Sequence, residues 1–162
     1  MRLLFAAALV AVFGSVSGCG SPVAGAQIAV QEENPDLAAA FARLLDEQGT
    51  AELGDIIASA GVPIGEWDQM FSVRSPISDE SVNKKLGTQG VRLTGLNTSS
   101  DSLVQVFLNE GKVVYAYKDE FPRYSVAQGH AEPDSLVSPK SHVVKDLGGE
   151  RTAWYLEIEG IR

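Results

Sequence analysis

The segment SLVQVFLNEGKVVYAYKD, residues 102–119, decides the fold class of this 162-residue chain. Two runs rich in β-branched and aromatic residues, Leu103–Leu108 and Lys112–Lys118, flank Asn109-Glu110-Gly111. A short polar connection that ends in glycine between two such runs is typical of a β-hairpin. The segment therefore predicts two antiparallel strands joined by a tight turn.

Further strands are predicted on both sides of this hairpin. Apolar and polar residues alternate over 67–74 and again over 154–159, which is the pattern of a strand with one buried face. A short strand is also expected at residues 91–93. The stretch 127–141 is polar and contains two prolines, so we expect a long loop of the kind that is often functional.

Three helices are predicted ahead of the hairpin, because apolar residues recur there at helical spacing between capping residues and glycines. Their expected N-cap residues and glycine ends are Asn34 and Gly49, Thr50 and Gly61, and Ser78 and Gly87. Helices followed mainly by strands indicate an α+β domain over residues 34–162. We expect the N-terminal helices to pack on one face of a small, mostly antiparallel sheet.

The first eighteen residues have the layout of a secretory signal peptide. Arg2 precedes an apolar run from Leu3 to Phe13, and small residues follow. This run is too short to cross the hydrocarbon core of a bilayer, which needs about 20 residues in a helix. We therefore expect a cleaved signal over residues 1–18.

The residues Val16-Ser17-Gly18-Cys19 resemble the lipobox of bacterial lipoprotein precursors, in which an aliphatic residue and two small residues precede a cysteine. The resemblance implies that the Cys19 thiol receives a diacylglyceryl group, with acyl chains such as palmitate, and that cleavage makes Cys19 the first residue. Cys19 is the only cysteine, so an internal disulfide is excluded. A buried free cysteine, or ordinary cleavage after Ser17, is the alternative.

A lipidated Cys19 would anchor the protein without a transmembrane helix, since two acyl chains hold a protein stably on a bilayer. Residues 20–33 carry Gly, Ala, Ser and Pro without sustained periodicity. We therefore expect residues 19–33 to be a lipidated cysteine with a flexible tether. The expected location is the extracytoplasmic face of the cell membrane, with an outer membrane as the open alternative.

A second resemblance concerns residues 67–71, Ser75-Pro76 and 77–87. They are similar to a block of small uncharacterised bacterial lipoproteins, in which a Trp-Asp strand leads through a proline turn into a short capped helix. The sequence Ser72-Val73-Arg74 departs from that pattern because it is less aromatic. The resemblance implies an order of elements and no activity, so no functional residue is carried over.

Charge restricts the partners. The chain has a net charge of −8 and no basic cluster, which argues against a nucleic-acid partner. An acidic domain is also not attracted electrostatically to an anionic lipid surface. The expected contact with the membrane is therefore the lipid on Cys19.

Few residues have the spacing that catalysis requires. His130, Glu132 and Asp134 lie together in the predicted loop, but nothing in their spacing fixes a geometry, and His142 is twelve residues from His130. No nucleophile-elbow, phosphate-loop or calcium-loop motif occurs. We therefore predict no catalytic residue, metal site or cofactor. A metal- or carboxylate-dependent hydrolase that uses the 127–141 loop stays an alternative, as does a carrier of a small apolar ligand.

The candidate interaction surface consists of Asp68, Tyr115 and Tyr117. Asp68 stands between Trp67 and Gln69 on a predicted strand, where an outward-facing carboxylate needs no special role. If Tyr115 and Tyr117 share the outer face of the sheet, they form a surface suited to an envelope protein or a glycan. Otherwise their face packs under the helices. The sequence thus favours a non-catalytic binding or accessory module of the cell envelope.

Overall fold

The computed structural model describes residues 26–96, 102–119, 128–146 and 149–161. The predicted signal peptide and Cys19 lie outside these ranges. Within them the elements are β1 (Gln27–Ala29), α1 (Pro35–Asp46), β2 (Ala51–Glu52), α2 (Leu53–Ser59), β3 (Gln69–Ser75), α3 (Asp79–Leu86), β4 (Arg92–Thr94), β5 (Ser102–Asn109), β6 (Lys112–Asp119), β7 (Leu136–Asp146) and β8 (Gly149–Ile158).

The strands form three sheets. The central sheet has the order β3-β5-β6, a second has the order β2-β7-β8, and both are antiparallel. The third is a parallel pair of β1 and β4. The hairpin predicted over 102–119 is confirmed as β5 and β6. Glu110 and Gly111, at its turn, both have positive φ angles of 50° and 73°, the combination that a tight two-residue hairpin turn requires.

Strand β5 is buried on both faces over residues 103–108. Because side chains alternate along a strand, Leu103 and Phe107 face one core, whereas Val104, Val106 and Leu108 face another. The central sheet therefore needs a cover on each side. This double burial organises the rest of the fold.

The first core lies between the central sheet, α1, α2 and the β7–β8 pair. Its buried members come from all of these elements and include Leu37, Phe41, Leu53, Ile56, Ile57, Met70, Leu103, Phe107, Tyr117, Val137, Leu156 and Ile158. The second core lies on the opposite face, where α3, β4 and the segment before it supply Val82, Leu86, Val91 and Leu93. Ile28 and Val30, on and just after β1, pack against its margin.

The predicted architecture, with helices on one face of one sheet, is therefore wrong. Strands account for 46% of the described residues and helices for 22%, and these strands form three sheets. The prediction failed because it allowed for a single buried face, whereas β5 carries apolar residues at every position from 103 to 108 except Gln105. The second face is covered by α3 with β1 and β4.

The N-caps of α1 and α3 and the glycine end of α3 are confirmed, whereas α1 ends at Asp46 with Glu47 as its C-cap, ahead of the predicted Gly49. The Asn34 carboxamide oxygen accepts hydrogen bonds from the backbone N–H groups of Asp36 and Leu37, at 2.8 and 3.2 Å. The Ser78 hydroxyl accepts one from the Ser81 N–H at 3.2 Å, and Gly87 ends α3 with a φ of 67°.

Helix α2 begins differently from the prediction, because Thr50 does not cap it. Its N-cap is Glu52, whose side chain makes no capping bond. The N–H groups of Leu53 and Gly54 instead donate to the carbonyl oxygens of Ser135 and Pro133, at 2.9 and 2.8 Å. A segment distant in sequence thus satisfies the start of this helix.

Two segments that we predicted to be irregular contain strands. Residues 136–141 of the predicted loop belong to β7, which pairs with β8 along its whole length. Residues 27–29 of the predicted tether form β1, and the Gln31 carbonyl accepts a hydrogen bond from the Lys118 N–H at 2.8 Å. Neither segment has a sustained alternation of apolar and polar residues, so their strand pairing depends on tertiary neighbours rather than on local pattern. The helices of the described ranges are too short and too polar to traverse a membrane.

Candidate functional site: the β7–β8 hairpin

Asp68 has a local structural role. Its side chain is exposed, and one carboxylate oxygen accepts a hydrogen bond from the backbone N–H of Glu110 at 2.7 Å. The Asp68 N–H donates to the Leu108 carbonyl at 2.8 Å. Asp68 therefore fastens the end of the loop before β3 to the turn between β5 and β6.

Tyr115 and Tyr117 do not form an outer surface. Tyr117 is 3% exposed, Tyr115 is half-buried, and both rings contact the first core beside Phe107, at centroid distances of 6.3 and 6.1 Å. Burial raises the pKa of the Tyr115 hydroxyl above its ordinary value. The alternative stated for these residues, that their face packs under the helices, describes their actual position.

The two histidines lie on different elements. His130 stands before β7, with its Nε2 3.8 Å from a carboxylate oxygen of Glu132 and its ring 5.4 Å from that of Phe71. His142 lies six residues into β7, about 20 Å along the strand from Leu136, and its ring is 5.5 Å from that of Tyr155. The structure does not bring the two imidazoles together.

An open pocket of about 490 Å³ lies beside His130 and is lined by the side chains of Glu132, Asp134, Ser135 and Glu159. Its Glu159 carboxylate accepts a hydrogen bond from the Leu136 N–H at 3.4 Å. Over 26–96, 102–119, 128–146 and 149–161, no group of three or more histidine, cysteine or acidic side chains could hold a metal ion.

The floor of this pocket joins two sheets. Gly129 forms an antiparallel bridge with Ile161, which follows β8, and Ala131 forms one with Met70 of β3. The Met70 and Ala131 N–H groups donate to each other's carbonyls at 2.8 and 2.9 Å. Residues 129–131 therefore hold the β2-β7-β8 sheet to the edge of the central sheet.

The β7–β8 hairpin projects from this junction. Near its base Val137, Leu156 and Ile158 are buried in the first core. Farther along, residues 140–143 and 149–152 are exposed on both faces. The hairpin is therefore half core element and half free-standing ribbon.

One face of the projecting ribbon carries two large exposed apolar residues. Val143 is 58% exposed and Trp154 is 47% exposed, and both lie on the same face as the buried Val137 and Leu156, since the residues of each set differ by even steps along their strand. The apolar face of the core thus continues beyond the body of the protein. Large exposed apolar residues on one surface are a common mark of a binding site.

The sequence contains part of this signal. The alternation over 154–159 was correctly read as a strand with one apolar face. It could not show that Trp154 lies beyond the body, because that depends on the length of β7, which was predicted to be loop up to residue 141.

The edges of the ribbon differ in the described part of the protein. Strand β8 ends its sheet and pairs only with β7. The outer edge of β7 pairs with β2 at Leu136 and Val137 and then meets Pro139, which has no N–H to donate. The open edge with a full set of backbone donors is therefore that of β8.

Comparison of the chain with known proteins found no matching family model, no matching curated protein and no matching solved structure.

Proposed function

We propose that this protein is a lipid-anchored, extracytoplasmic protein of the bacterial cell envelope. Its folded domain is a non-catalytic binding module that docks a protein partner through the β7–β8 hairpin. The proposal rests on Trp154 and Val143, which are exposed on the projecting part of the hairpin. They lie on the same face as the hairpin residues that are buried in the first core.

The anchor is supported by the similarity of Val16–Cys19 to a lipobox and by the position of the folded domain. Strand β1 begins at Gln27, eight residues after Cys19, and eight extended residues span at most about 28 Å. Acyl chains on Cys19 would therefore hold the domain close to the bilayer. Because the chain has a net charge of −8, it is not attracted electrostatically to an anionic lipid surface. The acyl chains would therefore be the source of its affinity for the membrane.

The docking role is supported by the composition of the ribbon. Tryptophan at a half-exposed position is enriched at binding hot spots, because its ring buries a large area at a small cost in conformational entropy. The hairpin also carries two ion pairs: Lys145 with Glu150 on the same face as Trp154, and Lys140, 3.7 Å from Glu157, on the opposite face. Exposed apolar residues with charged residues beside them occur at many protein interfaces.

The anchor is tested by expressing the full chain and its Cys19→Ala variant in a bacterial host and separating the proteins between detergent and aqueous phases. We expect the parent chain to enter the detergent phase with the mass of an attached diacylglyceryl group. The variant should stay as an uncleaved precursor without that mass. A parent chain without added lipid mass would contradict the anchor.

The docking role is tested with a photo-crosslinking amino acid placed at Val143 of the full chain in intact cells. The matched control carries the same amino acid at Glu80, an exposed position on α3. We expect a discrete protein adduct from position 143 and none from position 80. If position 143 forms adducts only with glycan, the partner is an envelope glycan and not a protein. Equal adducts from both positions would contradict a docking role.

A further inference from the structure

We propose that the partner of the hairpin is a second copy of this chain, which adds its own β8 antiparallel to β8 and joins two three-stranded sheets into one of six strands. The inference rests on the hairpin as the docking element and does not need the lipid anchor. It is carried by the direction of the backbone groups of β8 and by the order of its side chains.

The backbone groups that face outward can be assigned from one hydrogen bond. The Glu159 N–H donates to the Leu136 carbonyl at 2.9 Å, in the same register as the pairing of Ile158 with Val137. Bonded and non-bonded pairs alternate along an antiparallel ladder. The N–H and C=O groups of residues 151, 153, 155 and 157 therefore face β7, and those of the even-numbered residues 150–156 face the open edge, together with the Ile158 N–H. The Ile158 carbonyl accepts a hydrogen bond from the Ile161 N–H at 3.1 Å.

The same alternation shows why β8 and not β7 would accept a strand. Outward-facing groups on β7 belong to its odd-numbered residues, since on that side the Leu53 N–H donates to the carbonyl of the odd-numbered Ser135 at 2.9 Å, in the register of the β2–β7 pair. After Val137, the next such position is Pro139, which lacks an N–H and so interrupts any added ladder. Proteins commonly block exposed edges with proline, and β8 has no proline in Gly149–Ile158.

Two copies of one strand that pair antiparallel are related by a two-fold axis. Because bonded pairs must join outward-facing residues, a two-fold at Trp154 bonds each Trp154 to its copy, Thr152 to Leu156 and Glu150 to Ile158. All nine residues from 150 to 158 are then paired. The Trp154 side chains of the two copies become neighbours on the apolar face.

This register also matches the charges. It places Arg151 of each copy directly opposite Glu157 of the other, at the closer, non-bonded positions where cross-strand side chains interact most strongly. Both residues are exposed. Within one chain they are six residues apart, about 20 Å along the strand, so only pairing between copies brings them together.

Neighbouring registers fit less well. A shift by one step in one direction places Arg151 opposite Tyr155, and a shift in the other places it opposite Glu159, which lies beyond the end of β8. In either shifted register Trp154 no longer lies opposite its own copy, and Glu157 no longer lies opposite Arg151. The Trp154-centred register is the one that satisfies the backbone, the charges and the apolar face together.

The register is tested with an engineered cysteine at the two-fold. The full chain carrying Cys19→Ser and Trp154→Cys has one thiol, and a bonded antiparallel pair holds opposite Cα atoms about 5.5 Å apart, within disulfide range. We expect a disulfide-linked dimer on mild oxidation in detergent solution. The matched control, Cys19→Ser with Thr152→Cys, places the two thiols four residues apart, about 13 Å along the strands, and should not crosslink.

The charge pairing is tested by sedimentation of the full chain with Cys19→Ser. We expect Arg151→Glu to weaken dimerisation about tenfold, because two opposite-charge pairs become two like-charge pairs. Combining it with Glu157→Arg should restore the dimer, whereas the unrelated exposed change Glu80→Arg should leave it unaltered. Circular dichroism of each variant establishes that it is folded, as expected for substitutions at exposed positions.

The outcomes separate this inference from the proposed function. Pairing between copies is overturned if the chain stays monomeric at high concentration. It is also overturned if the dimer is equally stable with and without the substitutions at Arg151 and Glu157. If position 143 still crosslinks to another envelope protein, the docking role stands without a second copy as partner. Monomers together with no specific crosslink overturn both.

Discussion

Gly129 and Gly160 approach so closely that neither position has room for a side chain. A Cβ atom on Gly129 would lie 2.1 Å from the carbonyl oxygen of Gly160, and one on Gly160 would lie 2.1 Å from the carbonyl oxygen of His130. Both glycines have positive φ angles, of 87° and 85°. The contact lies where residues 129–131 hold two sheets together. The two sheets can therefore pack around the first core in this way only if both positions are glycine.

We expect Gly129→Ala to lower the free energy of unfolding by more than about 4 kcal/mol, since it combines backbone overlap with an unfavourable φ. The matched control is Gly61→Ala, which has a φ of 64° and open space around the added Cβ. It should cost about 1–2 kcal/mol from backbone conformation alone. Urea denaturation of the two variants measures the difference, and equal losses would contradict the close approach.

Asn83 fastens α3 to the segment before β4. Its Nδ2 donates to the carbonyls of Asp79 and Val91 at 2.6 and 2.7 Å, and its Oδ1 accepts from the Val91 N–H at 2.9 Å. We expect Asn83→Asp to lower the free energy of unfolding by about 2–3 kcal/mol, because the carboxylate would face two carbonyl oxygens. Thr88→Ala, which removes only the hydroxyl bond to the same Oδ1, should cost less than half as much in thermal denaturation. An unchanged free energy of unfolding for Asn83→Asp would show that the hydrogen bonds of Asn83 to Asp79 and Val91 do not stabilise the fold.

A buried polar row crosses the central sheet. The Ser72 hydroxyl donates to Gln105 Oε1 at 2.6 Å, and Gln105 Nε2 lies 3.5 Å from a carboxylate oxygen of Asp119. We expect Ser72→Ala and Gln105→Met each to destabilise the fold by about 1–2 kcal/mol. The double variant should lose about 1 kcal/mol less than the sum, because removing both partners leaves neither unsatisfied. Strict additivity in chemical denaturation would show that the two side chains act independently.

The Asp68 carboxylate stabilises the turn between β5 and β6 through the Glu110 N–H. We expect Asp68→Ala to cost about 1–2 kcal/mol, and Asp68→Asn to cost less because its amide oxygen can still accept the bond. Hydrogen exchange of the Glu110 amide should accelerate in the alanine variant and much less in the asparagine variant. Unchanged exchange in both would remove the structural role given to Asp68.

Ionisation of Tyr115 is expected to make the free energy of unfolding depend on pH in the alkaline range. Burial raises the pKa of its hydroxyl, so the unfolded chain loses this proton before the folded chain does. The contribution is therefore complete below the unfolded pKa of about 10 and falls as the pH rises through the higher folded value. Urea denaturation between about pH 9 and 11 should show a smaller decline for Tyr115→Phe than for the parent. Identical declines would contradict the effect of burial.

Local chemistry made part of this fold predictable. The turn at Glu110-Gly111, the N-caps Asn34 and Ser78 and the C-terminal Gly87 act through neighbours within a few residues. Each was assigned correctly from sequence because the interaction it makes is encoded beside it.

The remaining features depend on distant segments. Helix α2 is capped by carbonyls of Ser135 and Pro133, about eighty residues away, so Thr50 offered a misleading local alternative. The polar strand β7 is held by β8, and the tyrosines of β6 face inward because α1 and α2 cover that side. The candidate site was missed for the same reason, since whether Trp154 is core or surface depends on how far two paired strands extend beyond the body.

The double burial of β5 has a consequence for synthesis. On one side β5 is covered by α3, β4 and β1, all of which contain or precede residue 94. On the other side it is covered by α1 and α2, which precede it, and by β7, β8 and Ile161, which follow it. A ribosome or translocation channel that delivers the amino terminus first leaves one side of β5 covered only in part, by α1 and α2, until β7 and β8 have emerged. A nascent chain stalled before that point would therefore leave part of the apolar surface of β5 open to chaperones.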